Sequence, residues 1–241
     1  NAVDALKFAG EDHQGPYGPG VFPSQILSIP VDVNKALANG WIYQQDSAKI
    51  TNRLEINWSG RRYVTKDDVA IIDIIASNIN DRPIYFAMTS QLDKLNGLEK
   101  YTSVEGVAAR LVPLITEPIR ALSIQGIGRI DTKRAFDNMM NKFRWGNFDK
   151  HKMYVDNSFA PTLQTLRYQI FRTIQALQNE GKLQEAADLA QKYFEGFPFE
   201  NFPYDPADMN AVTGQNFTLE MINALIKNNR LDEAKNHLRL L

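Results

Sequence analysis

Apolar residues in the last third of the chain recur at steps of three and four. Leu163, Leu166, Ile170, Ile174 and Leu177 fall on one helical face, and Leu183, Ala186, Ala190 and Phe194 form a second stripe. Between the stripes lies Glu180-Gly181-Lys182, with a glycine suited to a left-handed helix end, and Pro198 stands beyond as a stop. The same plan returns 48 residues later, from 180–187 to 228–235: Asn228-Asn229-Arg230, then Leu231-Asp232-Glu233-Ala234. Leu219, Ile222 and Ile226 precede this second elbow, and Leu231, Ala234, Leu238 and Leu241 follow it. The spacing predicts helical hairpins over 160–197, meeting at Gly181, and over 213–241, meeting near Asn229. Small Ala186 and Ala190 allow close helix approach. Repeated hairpins build scaffolds and interaction surfaces, so this pattern speaks of architecture and names no reaction.

Upstream the period changes. Ile26 to Val31 reads as a short strand, and Val33 to Asn39 as a short helix ended by Gly40. Leu54-Glu55-Ile56-Asn57-Trp58 alternates, Ser59-Gly60 marks a turn, and Arg61 to Val64 returns as a hairpin partner. Thr65 caps a helix whose apolar face is Val69, Ile72, Ile75 and Ala76. Pro83 to Ala87 reads as a buried strand, residues 107–115 as a strand that Pro113 ends or confines to an edge, and Asp131 as the N-cap of a helix reaching Phe143. Residues 10–24, rich in Gly and Pro, read as a loop. The expected fold class is α+β: a mixed α/β portion over 1–155, then helical hairpins over 156–241.

Composition narrows the classes. The 241 residues carry 27 Lys plus Arg against 28 Asp plus Glu, a net charge of −1 that gives no general pull toward nucleic acid. No apolar run approaches the roughly 20 residues that span a bilayer. With no cysteine, disulfides, thiolate metal sites and cysteine nucleophiles are excluded. The chain begins at Asn1 rather than Met, which suggests a fragment or a processed form.

The hairpin pattern resembles the tetratricopeptide repeat. Gly181, Ala186 and Pro198 match its turn glycine, small second-helix residue and closing proline. Ile170 stands where an aromatic is usual, Asn229 replaces the turn glycine, and the 48-residue spacing exceeds the usual 34 or so. A second resemblance covers roughly residues 25–241. Its motifs are Arg82-Pro83-Ile84-Tyr85-Phe86-Ala87, Leu98-Glu99-Lys100-Tyr101 leading to Glu105-Gly106, Arg110-Leu111-Val112-Pro113, and Met140-Asn141-Lys142-Phe143-Arg144-Trp145-Gly146. The succession resembles the C-terminal soluble portion of a family of large Bacteroidetes membrane proteins, whose multi-pass N-terminal part looks like a protein O-mannosyltransferase. The resemblance implies a periplasmic accessory or interaction domain, non-catalytic by itself. The implied partners are the membrane portion of the same polypeptide and an envelope protein or glycan acceptor.

The residues themselves offer little catalysis. His13, His151 and His237 lie apart without ligand spacing, and Glu11-Asp12-His13 reads as a solvated loop, so no metal or cofactor is expected. Gly126-Ile127-Gly128-Arg129 lacks the third glycine and strand context of a dinucleotide site and reads as a turn. Asp67/Asp68 and Asp205/Asp208 are caps and loop residues first. Asp46-Ser47-Ala48 fits a short O-glycosylation pattern, and Asn57-Trp58-Ser59 and Asn216-Phe217-Thr218 are N-glycosylation sequons.

Binding candidates are Arg82, Glu105 and Arg110, then Arg144 with Trp145, because arginine beside an exposed aromatic holds a sugar face or a partner chain. The plainer alternative pairs Glu105 with one of these arginines and puts Trp145 in the core. Phe197, Phe199, Phe202 and Tyr204, following Phe194, form a second aromatic group that either caps the helical core or offers an apolar groove. Two rival functions stay open from the residues: a free-standing tetratricopeptide-like interaction module, and a hydrolase whose carboxylates converge in the fold.

Overall fold

The computed structural model describes residues 26–58, 64–116, 124–204, 214 and 216–241. The Gly/Pro-rich segment 10–24 with Glu11-Asp12-His13, the turn at Ser59-Gly60 with its return through Arg61, and Asp205 and Asp208 lie outside them. The fold class is the α+β arrangement expected, with small sheets followed by helices. The chain divides into two compact units, Asn1–Ser103 with Ala108–Arg129, and Val104–Val107 with Ile130–Leu241.

In the first unit, β1 (Ile26–Pro30) pairs antiparallel with β2 (Arg53–Asn57), bringing Ile29 opposite Leu54 and Leu27 opposite Ile56. The two-residue period of β2 buries Leu54 and Ile56 and exposes Arg53, Glu55 and Asn57. The sequence pointed to a partner beyond Gly60; the partner described is β1, more than twenty residues upstream. α1 (Val33–Ala38) starts at Asp32, whose carboxylate accepts the Lys35 N–H at 3.0 Å, and Gly40 ends it at φ 63°. α2 (Lys66–Asn78) starts at Thr65, whose backbone N–H donates to the Asp68 carboxylate at 3.1 Å and closes a capping box. Its Val69, Ile72 and Ile75 are buried, while Ala76, assigned to that face by spacing, is exposed.

A four-stranded sheet follows in the order β3 (Tyr85–Ala87), β5 (Ala108–Leu111), β4 (Thr102–Val104), β6 (Arg129–Ile130). β3 is the first strand in that order and not a buried one: Tyr85 and Ala87 are exposed and Phe86 is half-buried. The chain enters it through Pro83, a residue without an N–H and at home beside a sheet edge. Pro113 lies just past the end of β5. The Gly126–Arg129 stretch, read from sequence as a turn, runs from the end of a short 3-10 helix (Ile124–Gly126) through a bend at Gly128 into β6, and Gly128 adopts φ 67° where a Cβ would run into Thr102.

In the second unit, Asp131 caps α3 (Thr132–Asp137) by accepting the Arg134 N–H at 3.1 Å, and the helix widens into a π turn over Asn138–Lys142 before Phe143. α4 (Ala160–Asn179) and α5 (Leu183–Gly196) join through Gly181 at φ 76°, and α6 (Phe217–Lys227) and α7 (Leu231–Leu238) join through Asn229 at φ 60°. Three-residue elbows between such helices produce hairpins. Asparagine serves at the second elbow because its short polar side chain tolerates the left-handed region. Ile170, Ile174, Leu177, Ala186, Ala190 and Phe194 are buried in one core with Ile222 and Ala234. Polar pairs join hairpin to hairpin: Lys227 Nζ donates to Gln178 Oε1, Asn228 Nδ2 to Gln184 Oε1, and Arg230 to Asp188 at 2.9 Å. Coverage of the second hairpin's stripe differs from its pattern. Leu219, Ile226, Leu231, Leu238 and Leu241 are exposed. Periodicity fixes which residues share a face, not whether anything lies on it.

Candidate functional site

The nine candidate residues fall into three groups. In the first unit, Arg110 extends from β5 and is 5% exposed. Its guanidinium lies over two rings, 5.4 Å from the centre of Trp41 and 5.6 Å from that of Tyr85. The β3–β5 register causes this directly, since Tyr85 and Arg110 are cross-strand partners. The charge is thus held against two π faces while Tyr85 keeps 45% of its surface in solvent. Arg82 is exposed in the turn leading into the same strand. The sequence flagged the arginine but missed Trp41. The separation of 69 positions between Trp41 and Arg110 leaves no local signal for that contact.

The second group centres on Glu105, which is buried in the Val104–Val107 segment of the second unit. Arg134 Nη1 bridges Glu105 at 3.1 Å and Asp131 at 2.9 Å, and Asn138 Nδ2 donates to the Glu105 carbonyl at 2.7 Å. Asp131 in turn accepts the Arg134 backbone N–H, so one carboxylate both caps α3 and orients the guanidinium. Next to it Thr132 Oγ1 donates to Glu180, and Lys182 Nζ reaches both Thr132 Oγ1 and Glu180. The hydrogen bond to Glu180 raises the Lys182 ammonium pKa, so this cation stays charged. The residues suggested an ion pair between Glu105 and one of the candidate arginines Arg82, Arg110 and Arg144; the ion pair described is instead with Arg134, a residue sequence reading did not single out. The network ties the elbow of α4 and α5 to the start of α3.

The third group is aromatic. Trp145 is half-buried, with its ring centre 5.6 Å from Phe197 and 6.3 Å from Phe143. Gly196 makes that seat possible: a Cβ there would fall 2.8 Å from Trp145 Cδ2 and closer still to Cε3. Phe197 and Phe202 are buried and meet edge-to-face at 5.0 Å, and Phe148 meets Phe202 at 4.9 Å. Phe199 and Tyr204, both half-buried, meet at 5.2 Å. Arg144 is exposed.

Tyr204 also reaches His237, its hydroxyl 2.8 Å from Nδ1, and the imidazole stacks on Phe194 at 3.7 Å. Burial raises the tyrosine pKa and lowers that of His237, the latter partly offset by Glu233. A folded-state histidine pKa below 6.5 gives stability that is complete above about pH 6.5 and is lost as pH falls through the folded value. Wild type is therefore expected to exceed His237→Gln in melting temperature at pH 7.5, with the gap narrowing toward pH 5. A gap that widens on acidification contradicts this assignment.

Other sequence features have structural employment. Asp46 is clasped by Arg129 in a two-bond fork of 2.7 and 2.8 Å, and the Asn216 side chain caps α6 by accepting the Leu219 N–H. Among the described residues no group of three or more His, Asp or Glu is arranged to hold a metal, and no helix is long and apolar enough to cross a membrane.

No curated protein and no solved structure matches the chain. A family model described as TMEM260-associated domain 2 matches residues 4–134, more than half of the 241. That span contains Trp41, Arg82, Tyr85, Glu105 and Arg110 and stops short of the aromatic group around Trp145. The chain belongs to the TMEM260-associated domain 2 family, a family of domains associated with a membrane protein.

Proposed function

We propose that this chain is the periplasmic accessory domain of a membrane glycosyltransferase of the protein O-mannosyltransferase kind, and that it binds rather than catalyses. The observation that carries the reading is the family match over residues 4–134, the stretch that holds the Trp41–Arg110–Tyr85 stack. A tyrosine ring braced by a guanidinium and left 45% exposed is a firm apolar platform with a cation beside it. Such a platform suits the C–H face of a pyranose or an acceptor chain, with Arg82 close by in sequence to take a polar group. The tetratricopeptide-like hairpins supply a second surface, for an envelope protein or for the membrane portion of the same polypeptide. Lipid-linked sugar donors react at a membrane-embedded site, which the membrane portion would contribute.

The test uses the full-length membrane protein and the purified chain side by side. In the former, Tyr85→Ala is expected to raise the acceptor KM about tenfold, a loss of roughly 1.4 kcal/mol in binding, with kcat and donor KM unchanged. The purified chain is expected to transfer no mannose from a polyprenyl-phosphate donor. Turnover by the purified chain that disappears when one of its carboxylates is replaced overturns the reading.

A further inference from the structure

The 48-residue internal repeat makes each hairpin a template for the other. On the first hairpin, α6 packs against both α4 and α5. Phe217 meets Phe171 edge-to-face at 5.3 Å, and Lys227 Nζ donates to Gln178 Oε1 at 2.9 Å. Phe171 and Ala190 are buried in the core that these helices share. Adding 48 to each position gives Leu219 for Phe171, Ile226 for Gln178 and Leu238 for Ala190. These three keep 48%, 43% and 44% of their surface in solvent. Leu231 differs, because its counterpart Leu183 is exposed as well, and both belong to the rim. The repeat thus separates apolar residues whose counterparts are covered from those that meet water in both hairpins.

What lies on the first hairpin tells what the second can take. The cover there is a helix, α6, whose Phe217, Met221 and Leu225 recur at steps of four and are buried. In stacked hairpins each unit touches its neighbours, and a face that ends in water is polar. The corresponding face of α6 and α7 is apolar at all three counterpart positions. At position 226 it is more apolar than its template, with isoleucine in place of the glutamine that accepts from Lys227. We propose that Leu219, Ile226 and Leu238 receive an amphipathic helix of a partner protein, seated on α6 and α7 as α6 is seated on α4 and α5. The partner helix carries an apolar side chain where α6 carries Lys227. The proposal rests on reading the hairpins as a partner surface, not on the sugar-binding stack.

The probe is a synthetic peptide of residues 216–230, the sequence that covers the matching face of the first hairpin. Leucine and isoleucine methyl signals of the purified chain are followed by NMR during its titration. Short helices are marginal in water, so weak binding is expected, and methyl shifts report it even at millimolar dissociation constants. The signals of Leu219, Ile226 and Leu238 are expected to move to saturation, while those of Leu54 and Ile56 in the first unit stay still. A scrambled peptide is expected to move none. The Lys227→Leu peptide is expected to bind roughly fivefold more tightly. Ile226→Gln in the chain, which restores the residue of the first hairpin, is expected to cancel that gain. Leu238→Glu is expected to weaken both peptides about tenfold. Both side chains are exposed, so the variants are expected to keep the wild-type melting temperature. Tyr85→Ala is the control and leaves peptide binding unchanged, which lets this proposal and the acceptor-binding reading fail separately. Absence of saturable shifts, or shifts that neither variant alters, overturns the proposal. So does dimerisation in sedimentation equilibrium with the same three methyl signals moving on dilution, which would give the face to a second copy.

Discussion

Gly128→Ala is expected to destabilise the protein by about 3–5 kcal/mol, the largest effect of any single methyl group considered for this chain. Two penalties coincide there. The backbone sits at φ 67°, where an alanine is strained, and the new Cβ would lie 2.7 Å from the Thr102 carbonyl oxygen and nearer still to Thr102 Oγ1. Neither obstacle yields cheaply, because the carbonyl belongs to β4 and the hydroxyl is held by a 2.7 Å hydrogen bond to the Glu99 carbonyl. Gly181→Ala separates the two contributions. That glycine has a similar φ of 76° but open space around it, so only the backbone strain of about 1 kcal/mol applies. Urea denaturation of both variants checks the contrast. If Gly128→Ala and Gly181→Ala lose the same amount, the close approach of Thr102 is not what that glycine serves. Gly128→Asn refines the point: asparagine tolerates the left-handed region yet carries a Cβ, so it too is expected to fail.

Asn201→Ala is the second large effect, about 2–4 kcal/mol. The alanine would leave the Phe148 and His151 carbonyls and the Met153 N–H without the partner that now satisfies all three. Phe148 would lose its anchor next to Phe202 and Phe197, so the penalty reaches the aromatic core as well as the loop. Hydrogen exchange at residues 148–153 is expected to speed up before the rest of the second unit does. A melting temperature within a degree of wild type would show that water replaces the asparagine at no loss.

Local rules were legible in the sequence and distant pairings were not. Asp131 ahead of a helix, Gly181 and Asn229 at elbows, and the 3.6-residue spacing around Ile170 and Ala186 each act within a few residues of themselves, and each is found where it was read. The choice of β1 as the partner of β2, the contact of Arg110 with Trp41, and the bridging of Asn201 to Phe148 each join residues more than twenty positions apart. Nothing in the intervening sequence selects them. Arg134 shows the intermediate case. Its place three residues after Asp131 was a visible capping spacing, but its second partner Glu105 depends on where the Val104–Val107 segment runs. The aromatic candidates show a third kind of limit. Phe197 and Tyr204 look alike in a sequence, yet one is buried and the other half-buried, because a count of rings says nothing about which one the last hairpin covers.

The chain passes from one unit to the other within β4, returns after Val107, and leaves again within β6. Neither unit is a continuous stretch, and this has a consequence for biosynthesis. When a ribosome has released residue 129, every segment of the first unit exists, yet four residues in its midst belong to a body whose remainder is still unsynthesised. Glu105 waits for Arg134 to emerge before its charge is met. No single cut of the gene yields both units whole: severing after Arg129 strands Val104–Val107, and severing before Val104 deprives the first unit of β5. Any pair of fragments split between residues 104 and 130 is thus expected to keep less native structure than a pair split near residue 155, a cut that falls within the second unit alone.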